Sequence, residues 1–333
     1  MKDHISTVTG WVDRAERAIG SRFFWIIIGC TIVGVLSRDI LSPFVWIVPY
    51  LLAIMTFAGA VGCKPESFLQ AGRKAGAFLG TAVMFYLIMP ALSYGLARVF
   101  YPATPELWAG HVLLAILPSA ISSSIWVAIS SGNMPLGIGL LVMTTVLSGF
   151  TIPGILGIAV GRVVPFDSVS LLITLTKIVV FPVFIAMFFT HKAGNHVDVY
   201  RPYFALIVKI TVILVVLLNA VANAPFLVRF GERLLVVFVV IFIQSMAGFA
   251  LSWLVARRIL RLSLDDTKAF FFVNAMRNDG AGIAVALAYF SPLVAIPAGV
   301  NIMIQQPFCS VMVRLLESCR YRRLRATPSQ PCK

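Results

Sequence analysis

Long apolar stretches separated by short polar breaks dominate this chain. A membrane-spanning helix needs about 20 mostly apolar residues, and Arg, Lys, Pro and Gly cluster where such stretches end. Ten stretches can be drawn, and we expect each to be a spanning helix. They lie at about residues 23–37, 44–62, 75–100, 108–129, 134–161, 168–190, 205–222, 235–256, 269–290 and 293–316. The pattern predicts an all-α membrane protein.

Two of these stretches share a motif that suggests an internal duplication. Residues 91–98 read ALSYGLAR and residues 250–257 read ALSWLVAR, which agree at five of eight positions. A chance match of small and apolar residues is the alternative. The offset of 159 residues equals five stretches, an odd number, so the two halves would cross the membrane in opposite directions. Such inverted repeats are typical of secondary transporters.

The duplication also predicts how the chain is divided. We expect an interfacial or cytoplasmic segment, two five-helix repeats and a basic cytoplasmic tail. Their predicted limits are 1–22, 23–161, 168–316 and 317–333.

Composition and charge agree with a membrane protein and predict its orientation. Hydrophobic residues make up 59% of the 333 positions and charged residues only 12%, with a net charge of +14. The mean hydropathy is +0.95. Of the 27 Lys and Arg residues, 19 fall on the side that carries both termini and 5 on the other. Positive loops face the cytoplasm, so we expect both termini there and the protein in the plasma (inner) membrane. The basic charge then serves topology and contact with the lipid bilayer, and we expect no nucleic-acid partner.

Polar clusters interrupt two of the predicted helices. The stretch 108–129 contains Pro118 followed by four serines, and the stretch 269–290 contains charged and amide residues near its middle. Unwound backbone at membrane depth is stable only where it is buried in protein or lines a watery cavity. We therefore expect both helices to be broken there and to border a substrate site. The candidate site residues are Ser119, Ser122, Ser123, Ser124, Asn274, Arg277, Asn278, Asp279 and, beside Pro307, Gln305.

Arg277 and Asp279 allow two interpretations. A charge at the bilayer centre costs about 2.5–3.5 kcal/mol on insertion scales, so a buried pair marks a pathway or a partner. The two side chains could neutralise each other and brace a broken helix. Alternatively, Arg277 could anchor an anion or stand in for a bound cation, because its planar group binds both oxygens of a carboxylate.

Around these residues the sequence resembles the bile acid:sodium symporter family, over roughly residues 44–316. The resemblance implies a ten-helix carrier with a panel domain and a core domain of inverted repeats. It also implies alternating access, with the broken fourth and ninth helices crossing near the substrate cavity. The matching pieces are residues 62–68, 88–90, 118–133, 177–182, 276–280 and 296–299.

The resemblance further implies sodium-binding positions, and most of them differ in this chain. Where sodium-coupled members carry a Glu and a Gln in the ninth helix, this sequence has Val273 and Arg277. Phe85 replaces a Gln of the third helix, Ser124 an Asn of the fourth, and Gly137 and Leu141 a Ser and a Thr of the fifth. Sodium needs several oxygen ligands and is repelled by a fixed cation. We therefore expect no sodium coupling, with Arg277 in the former cation region.

The expected function is secondary transport of a small organic anion, a carboxylate, without a cofactor. Three alternatives remain. An arsenite-type efflux carrier of the same superfamily would use a cysteine in the fourth helix, but no cysteine lies between Cys63 and Cys309. A non-transporting membrane sensor or scaffold is the second. A membrane-embedded enzyme such as a prenyl transferase would need paired acidic motifs for Mg²⁺, and Asp265–Asp266 is the one candidate pair.

Overall fold

The computed structural model describes residues 12, 14, 18, 19, 22, 25, 26, 28–62, 74–164, 166–194, 197–230 and 233–326. Most of the predicted segment 1–22 and the end of the predicted tail lie outside the described residues.

Every regular element of the described chain is a helix. Helical residues 28–36 lead into α1, a short 3₁₀ turn (Pro292–Ala295) precedes α11, and a π-helical turn (Val255–Ile259) extends α8. The helices are α1 (Arg38–Ala60), α2 (Ala75–Phe100), α3 (Pro105–Ile116), α4 (Ser123–Ile129), α5 (Met134–Val160), α6 (Val169–Ala193), α7 (Val197–Phe230), α8 (Arg233–Leu254), α9 (Leu264–Ala275), α10 (Asp279–Tyr289) and α11 (Ile296–Ala326).

Seven of these helices contain a stretch long and apolar enough to cross a membrane. The stretches are Arg38–Ala60, Ala75–Phe100, Met134–Val160, Val169–Ala193, Pro202–Ala222, Leu235–Ile259 and Pro292–Val313. The protein is therefore a multi-pass helical membrane protein, and these stretches coincide with seven of the ten predicted ones. Of the others, 23–37 lies partly outside the described residues, and 108–129 and 269–290 are each divided into two short helices.

Two long helices contain a π-helical turn shortly before a proline. The turn Met84–Ile88 precedes Pro90 in α2, and the turn Thr176–Val180 precedes Pro182 in α6. Proline has no backbone N–H, and its ring crowds the carbonyl four residues earlier, so a locally wider turn relieves the clash. Phe85 lies within the turn of α2 and is fully buried.

Three of the four short helices, α3, α9 and α10, occupy the middle of the molecule, whereas α4 is only partly buried. Nearly all residues of α3, α9 and the first two turns of α10 are buried. The long helices surround them and expose large apolar side chains such as Leu87, Ile158 and Phe184. Lipid is as apolar as these side chains, so exposure of this kind is expected for a surface that faces the bilayer.

Candidate functional site

The two divided stretches meet at their interruptions in the interior of the molecule. Residues 117–122 connect α3 to α4, and residues 276–278 connect α9 to α10. The connections run antiparallel and form an isolated β-bridge between Ser119 and Arg277. The structure therefore brings together, at one crossing, residues that lie about half the chain apart.

Backbone hydrogen bonds hold the crossing together. The amide of Asn278 donates to the carbonyl of Pro118 at 2.9 Å, and the amide of Ala120 donates to the carbonyl of Met276 at 3.3 Å. These bonds satisfy polar backbone groups that lipid could not satisfy, which is the condition for irregular backbone at membrane depth. Helix α10 starts directly after the crossing, and the side chain of Asn278 caps it by accepting from the amide of Ala281.

Gln305 on α11 binds the other edge of the crossing backbone. Its Oε1 accepts a hydrogen bond from the amide of Arg277 at 3.0 Å, and its Nε2 donates to the carbonyl of Arg277 at 2.9 Å. The same Nε2 also donates to Oδ2 of Asp279. The sequence placed Gln305 among the site residues, and the structure places it, 3% exposed, against the crossing itself.

The guanidinium of Arg277 is buried and stacked on an aromatic ring. Its Cζ lies 3.7 Å from the centroid of the Phe85 ring, and Nη1 donates to the carbonyl of Asn274 at 2.9 Å. A desolvated cation–π contact contributes about 2 kcal/mol, which offsets part of the cost of burying the charge. Arg277 thus has partners in α2 and α9 that are neutral.

The carboxylate of Asp279 also has neutral partners. Asn301 Nδ2 donates to its Oδ1 at 2.8 Å and Gln305 Nε2 donates to its Oδ2, while Ser245 Oγ donates to Asn301 Oδ1 at 2.5 Å. In the described structure Arg277 and Asp279 do not form an ion pair within 4.0 Å. Each charge is therefore held by its own set of hydrogen bonds rather than by direct pairing.

The four candidate serines divide between the crossing and the start of α4. Ser119 donates its amide to Thr144 Oγ1 at 3.2 Å and its hydroxyl to Ser123 Oγ at 3.2 Å, and both serines are buried. Ser122 and Ser124 lie on either side of Ser123 in the sequence, and both are half-buried. Ser119 thus belongs to the crossing, and the other three serines lie at the start of α4.

Asn274 lies one turn before the crossing and joins α9 to α2. Its Nδ2 donates to Thr81 Oγ1 and to the carbonyl of Phe270, each at 2.9 Å. Its buried Oδ1 has no hydrogen-bond partner.

The positions that the resemblance relates to sodium binding hold apolar atoms. Val273 and Phe85 are fully buried, and Leu141 is nearly so. Gly137 has no side chain, and a Cβ built there would meet carbon atoms of Val127 and Ala269. Of the positions related to sodium binding, only Arg277 and Ser124 carry a polar side-chain group, and the Ser124 hydroxyl donates to the carbonyl of Ile121 at 2.8 Å.

A small cleft lies on the Asn278 side of the crossing, between α1, α5 and α6. Its interior volume is about 10 Å³, on the order of one water molecule. Its lining is Thr56, Gly59, Ala60, Ile121, Leu141, Val142, Thr145, Val183 and Asn278. Sequence reasoning missed Thr56 and Thr145, because isolated threonines are ordinary in apolar helices. It is the packing of α1 against the crossing that places them here.

Ile121 and Gly59 close this cleft by direct contact. A Cβ built on Gly59 would lie 1.8 Å from Cδ1 of Ile121, so no larger residue fits there without a shift. Because Gly59 is on α1 and Ile121 is in the first interruption, the contact joins a long outer helix to the crossing.

A second polar network lies at one end of the molecule, away from the crossing. Lys74 Nζ lies 2.5 Å from Asp266 Oδ2, and Asn133 Nδ2 donates to Asp266 Oδ1 at 2.7 Å. Burial raises the pKa of Asp266, but hydrogen bonds from Lys74, Ser263 and Asn133 outweigh burial and hold this pKa below its ordinary value. Asp266 of the candidate pair Asp265–Asp266 is thus engaged in linking α2, α5 and α9.

Comparison with known proteins gives a consistent set of similarities. The model of the Sodium Bile acid symporter family matches residues 49–230. Over 276 residues the chain is 26% identical to a Bacillus subtilis (strain 168) protein called "Uncharacterized protein YbaS", covering 83% of this chain and 90% of that one.

Two further relatives carry names that describe transport. The chain is 26% identical to the "Uncharacterized sodium-dependent transporter YocS" of the same bacterium, covering 83% of this chain and 84% of that protein. It is 23% identical to the rice "Probable sodium/metabolite cotransporter BASS2, chloroplastic", covering 84% of this chain and 66% of that protein.

Proposed function

Because the chain belongs to the sodium bile acid symporter family, whose members are transporters rather than enzymes, we propose that it moves a small organic anion, a carboxylate, by alternating access. The observation that carries this proposal is the crossing of two interrupted helices beside a closed cleft. Such a crossing supplies hydrogen-bonding backbone at membrane depth, which is where secondary transporters bind their substrates.

The transporter has ten spanning helices in two inverted repeats of five, at 23–161 and 168–316. Helix boundaries support this part of the proposal. Shifted by the 159-residue offset of the sequence motif, Pro105–Ile116 falls on 264–275, which are the bounds of α9. The same shift moves Ala75–Phe100 onto 234–259, which matches α8 with its π-helical extension to Ile259.

We assign α1, α6 and α7 to the panel that the family resemblance implies, and the remaining helices to the core that moves against it. Packing supports this division, because α1 contacts both α6 and α7. The cleft then lies between panel and core, and the contact of Ile121 with Gly59 is a panel–core contact.

Transport in this protein does not use sodium, and Arg277 occupies the region of the lost cation site. Two observations support this: the permanent charge of Arg277 is held against Phe85, and the neighbouring Val273 is apolar and fully buried. The positive guanidinium would repel a sodium ion at short range. Sodium dependence, which the names of two relatives state for those proteins, is the alternative to be tested.

Both termini lie in the cytoplasm, and the protein resides in the plasma (inner) membrane. The excess of Lys and Arg on one side supports this orientation. The contacts among Lys74, Asn133 and Asp266 also agree, because the orientation assigns all three residues to the cytoplasmic side.

Reconstituted protein tests the proposal directly. We would measure uptake and counterflow of radiolabelled short carboxylates in proteoliposomes, in sodium and in choline buffer. We expect exchange of at least one carboxylate at equal rates in the two buffers, and Arg277→Ala should abolish it. A strong sodium requirement would overturn the coupling proposal. Absence of exchange for every carboxylate would favour the sensor or scaffold, and exchange of arsenite alone would favour the efflux carrier.

A further inference from the structure

The hydroxyl of Thr56 is an exception among the threonines of the helices. It is 4% exposed and has no hydrogen-bond partner. A threonine in a helix normally donates to the carbonyl three or four residues earlier. In the described chain Thr144, Thr145, Thr151, Thr176, Thr190, Thr211 and Thr267 do so.

Thr56, whose buried hydroxyl has no partner, is one of the residues that line the cleft. Leaving a buried hydroxyl unpaired is unfavourable, and valine would fill the same volume without that penalty. The unpaired hydroxyl is explained if a hydrogen-bond partner enters the cleft in another step of the transport cycle. The cleft, with room for about one water molecule, is the place from which that partner can reach Thr56.

The oxygen atoms of the other polar side chains of the cleft already form hydrogen bonds. Thr145 Oγ1 donates its proton to the carbonyl of Leu141 at 2.8 Å, so it can only accept a further hydrogen bond. The Oδ1 of Asn278 accepts from the amide of Ala281 at 3.2 Å. Thr56 on α1 is therefore a free donor on the wall opposite the crossing, and a donor suits an oxygen that accepts, such as a carboxylate oxygen.

The remaining lining restricts the rest of the partner. The cleft contains no charged side chain, and Ile121, Leu141, Val142 and Val183 are apolar. Thr56 can donate to one carboxylate, whereas a second carboxylate would be placed against hydrocarbon with neither a donor nor a counter-charge, which is strongly unfavourable. An aliphatic chain would instead replace water against these side chains.

We propose, resting on the transporter function above, that Thr56 donates a hydrogen bond to the carboxylate of the transported anion. The anion is a short aliphatic monocarboxylate whose chain packs on the apolar lining. Ile121 must move off Gly59 to admit it. Thr56 is then a specificity residue contributed by the panel helix, in addition to the residues of the crossing.

The test uses the full-length protein in proteoliposomes and compares two substitutions of Thr56 with two matched controls. Counterflow of radiolabelled isovalerate gives KM and kcat, with succinate as the dicarboxylate competitor. We expect Thr56→Val to raise the KM for isovalerate about tenfold, because a hydrogen bond to a charged group is lost. Thr56→Ser keeps the hydroxyl and should keep the KM of the wild type. Thr176→Val and Thr211→Val should stay within about twofold of the wild type, because both of those hydroxyls donate within their own helices and neither residue lines the cleft.

Thermal unfolding of the unliganded variants separates binding from structure. Thr56→Val should not lower the melting temperature, because the hydroxyl that it removes has no partner. An unchanged KM in Thr56→Val, an equal rise of KM in Thr176→Val, or a melting temperature lowered by Thr56→Val would overturn the role of Thr56. Preferred transport of succinate by the wild type would overturn the monocarboxylate class. If the wild type exchanges no carboxylate at all, the transporter proposal fails first, and this inference fails with it.

Discussion

Arg277 lies with its guanidinium over the ring of Phe85, 3.7 Å from Cζ to the ring centroid. The two residues stand where the family resemblance implies two sodium ligands, a Gln in each case. By that resemblance, the two differences from sodium-coupled members are in contact with each other: the cationic Arg277 faces the aromatic Phe85. The contact gives the buried charge a favourable partner that is part of the protein.

A double-mutant cycle measures this contact. We expect Phe85→Leu and Arg277→Met to couple by about 1–2 kcal/mol in unfolding free energy, the range of a desolvated cation–π contact. The measurement is denaturant unfolding of the purified protein in detergent. Phe272→Leu is the control, because Phe272 is as fully buried as Phe85 and has no cation over its ring in the described structure. A coupling energy near zero would show that the stacking contributes no stability.

Substitution at Gly59 tests the closing contact of the cleft. Gly59→Ala places a methyl group 1.8 Å from Ile121 Cδ1, so the side chain of Ile121 must move before panel and core can pack in this arrangement. We expect transport in proteoliposomes to fall at least tenfold, and Ile121→Ala in the same protein to restore most of it. The control is Gly95→Ala, where a Cβ meets nothing within 4 Å. Full activity of Gly59→Ala alone would contradict a role for this contact in the cycle.

The pH dependence of stability reports on Asp266. Its pKa is below the ordinary value, so the stabilisation from ionised Asp266 is present above the unfolded pKa of about 3.8 and is lost as the pH falls through the folded pKa. We expect Asp266→Asn to destabilise the protein by about 1 kcal/mol at pH 6, and the difference from the wild type to shrink below about pH 4.

Chemical unfolding at a series of pH values from 3 to 6 gives this comparison. Asp265→Asn is the matched control, because its side chain is 67% exposed and lies 3.4 Å from Lys268 Nζ. A constant difference between Asp266→Asn and the wild type across the whole range would rule out the carboxylate as its source.

Reporter fusions test the orientation of the chain. Green fluorescent protein fused after Lys333 should fluoresce, because the reporter folds in the cytoplasm, and alkaline phosphatase at the same place should be inactive. The same reporters inserted between α2 and α3, after Ala103, should give the opposite result. A phosphatase that is active at the C-terminus would reverse the proposed topology.

The family and the helical membrane class were predictable from the sequence, and both are confirmed. Apolar stretches of the required length have few alternative folds in a bilayer. The breaks near Ser119 and Arg277 were also visible, because proline, clustered serines and paired charges are unusual within an apolar helix. In these respects local sequence carries the structural signal.

Other features depend on which helix faces pack together, and local sequence does not contain that information. The contact of Ile121 with Gly59, and the unpartnered hydroxyl of Thr56, arise from α1 packing on the crossing. Likewise, the hydrogen bond from Asn301 to Asp279 depends on how α11 lies against α10. Each of these requires knowledge of a neighbour remote in sequence.

Gln305 holds the second interruption, residues 276–278, rigidly against the last long helix, α11. Its one amide group occupies both backbone polar atoms of Arg277 and also reaches Asp279. Sliding α11 past this junction would break three hydrogen bonds between buried residues, whereas Ile121 contacts Gly59 only through apolar atoms. We therefore expect that during the transport cycle the core slides along the apolar surface of α1. The second interruption and α11 should move together as a rigid body.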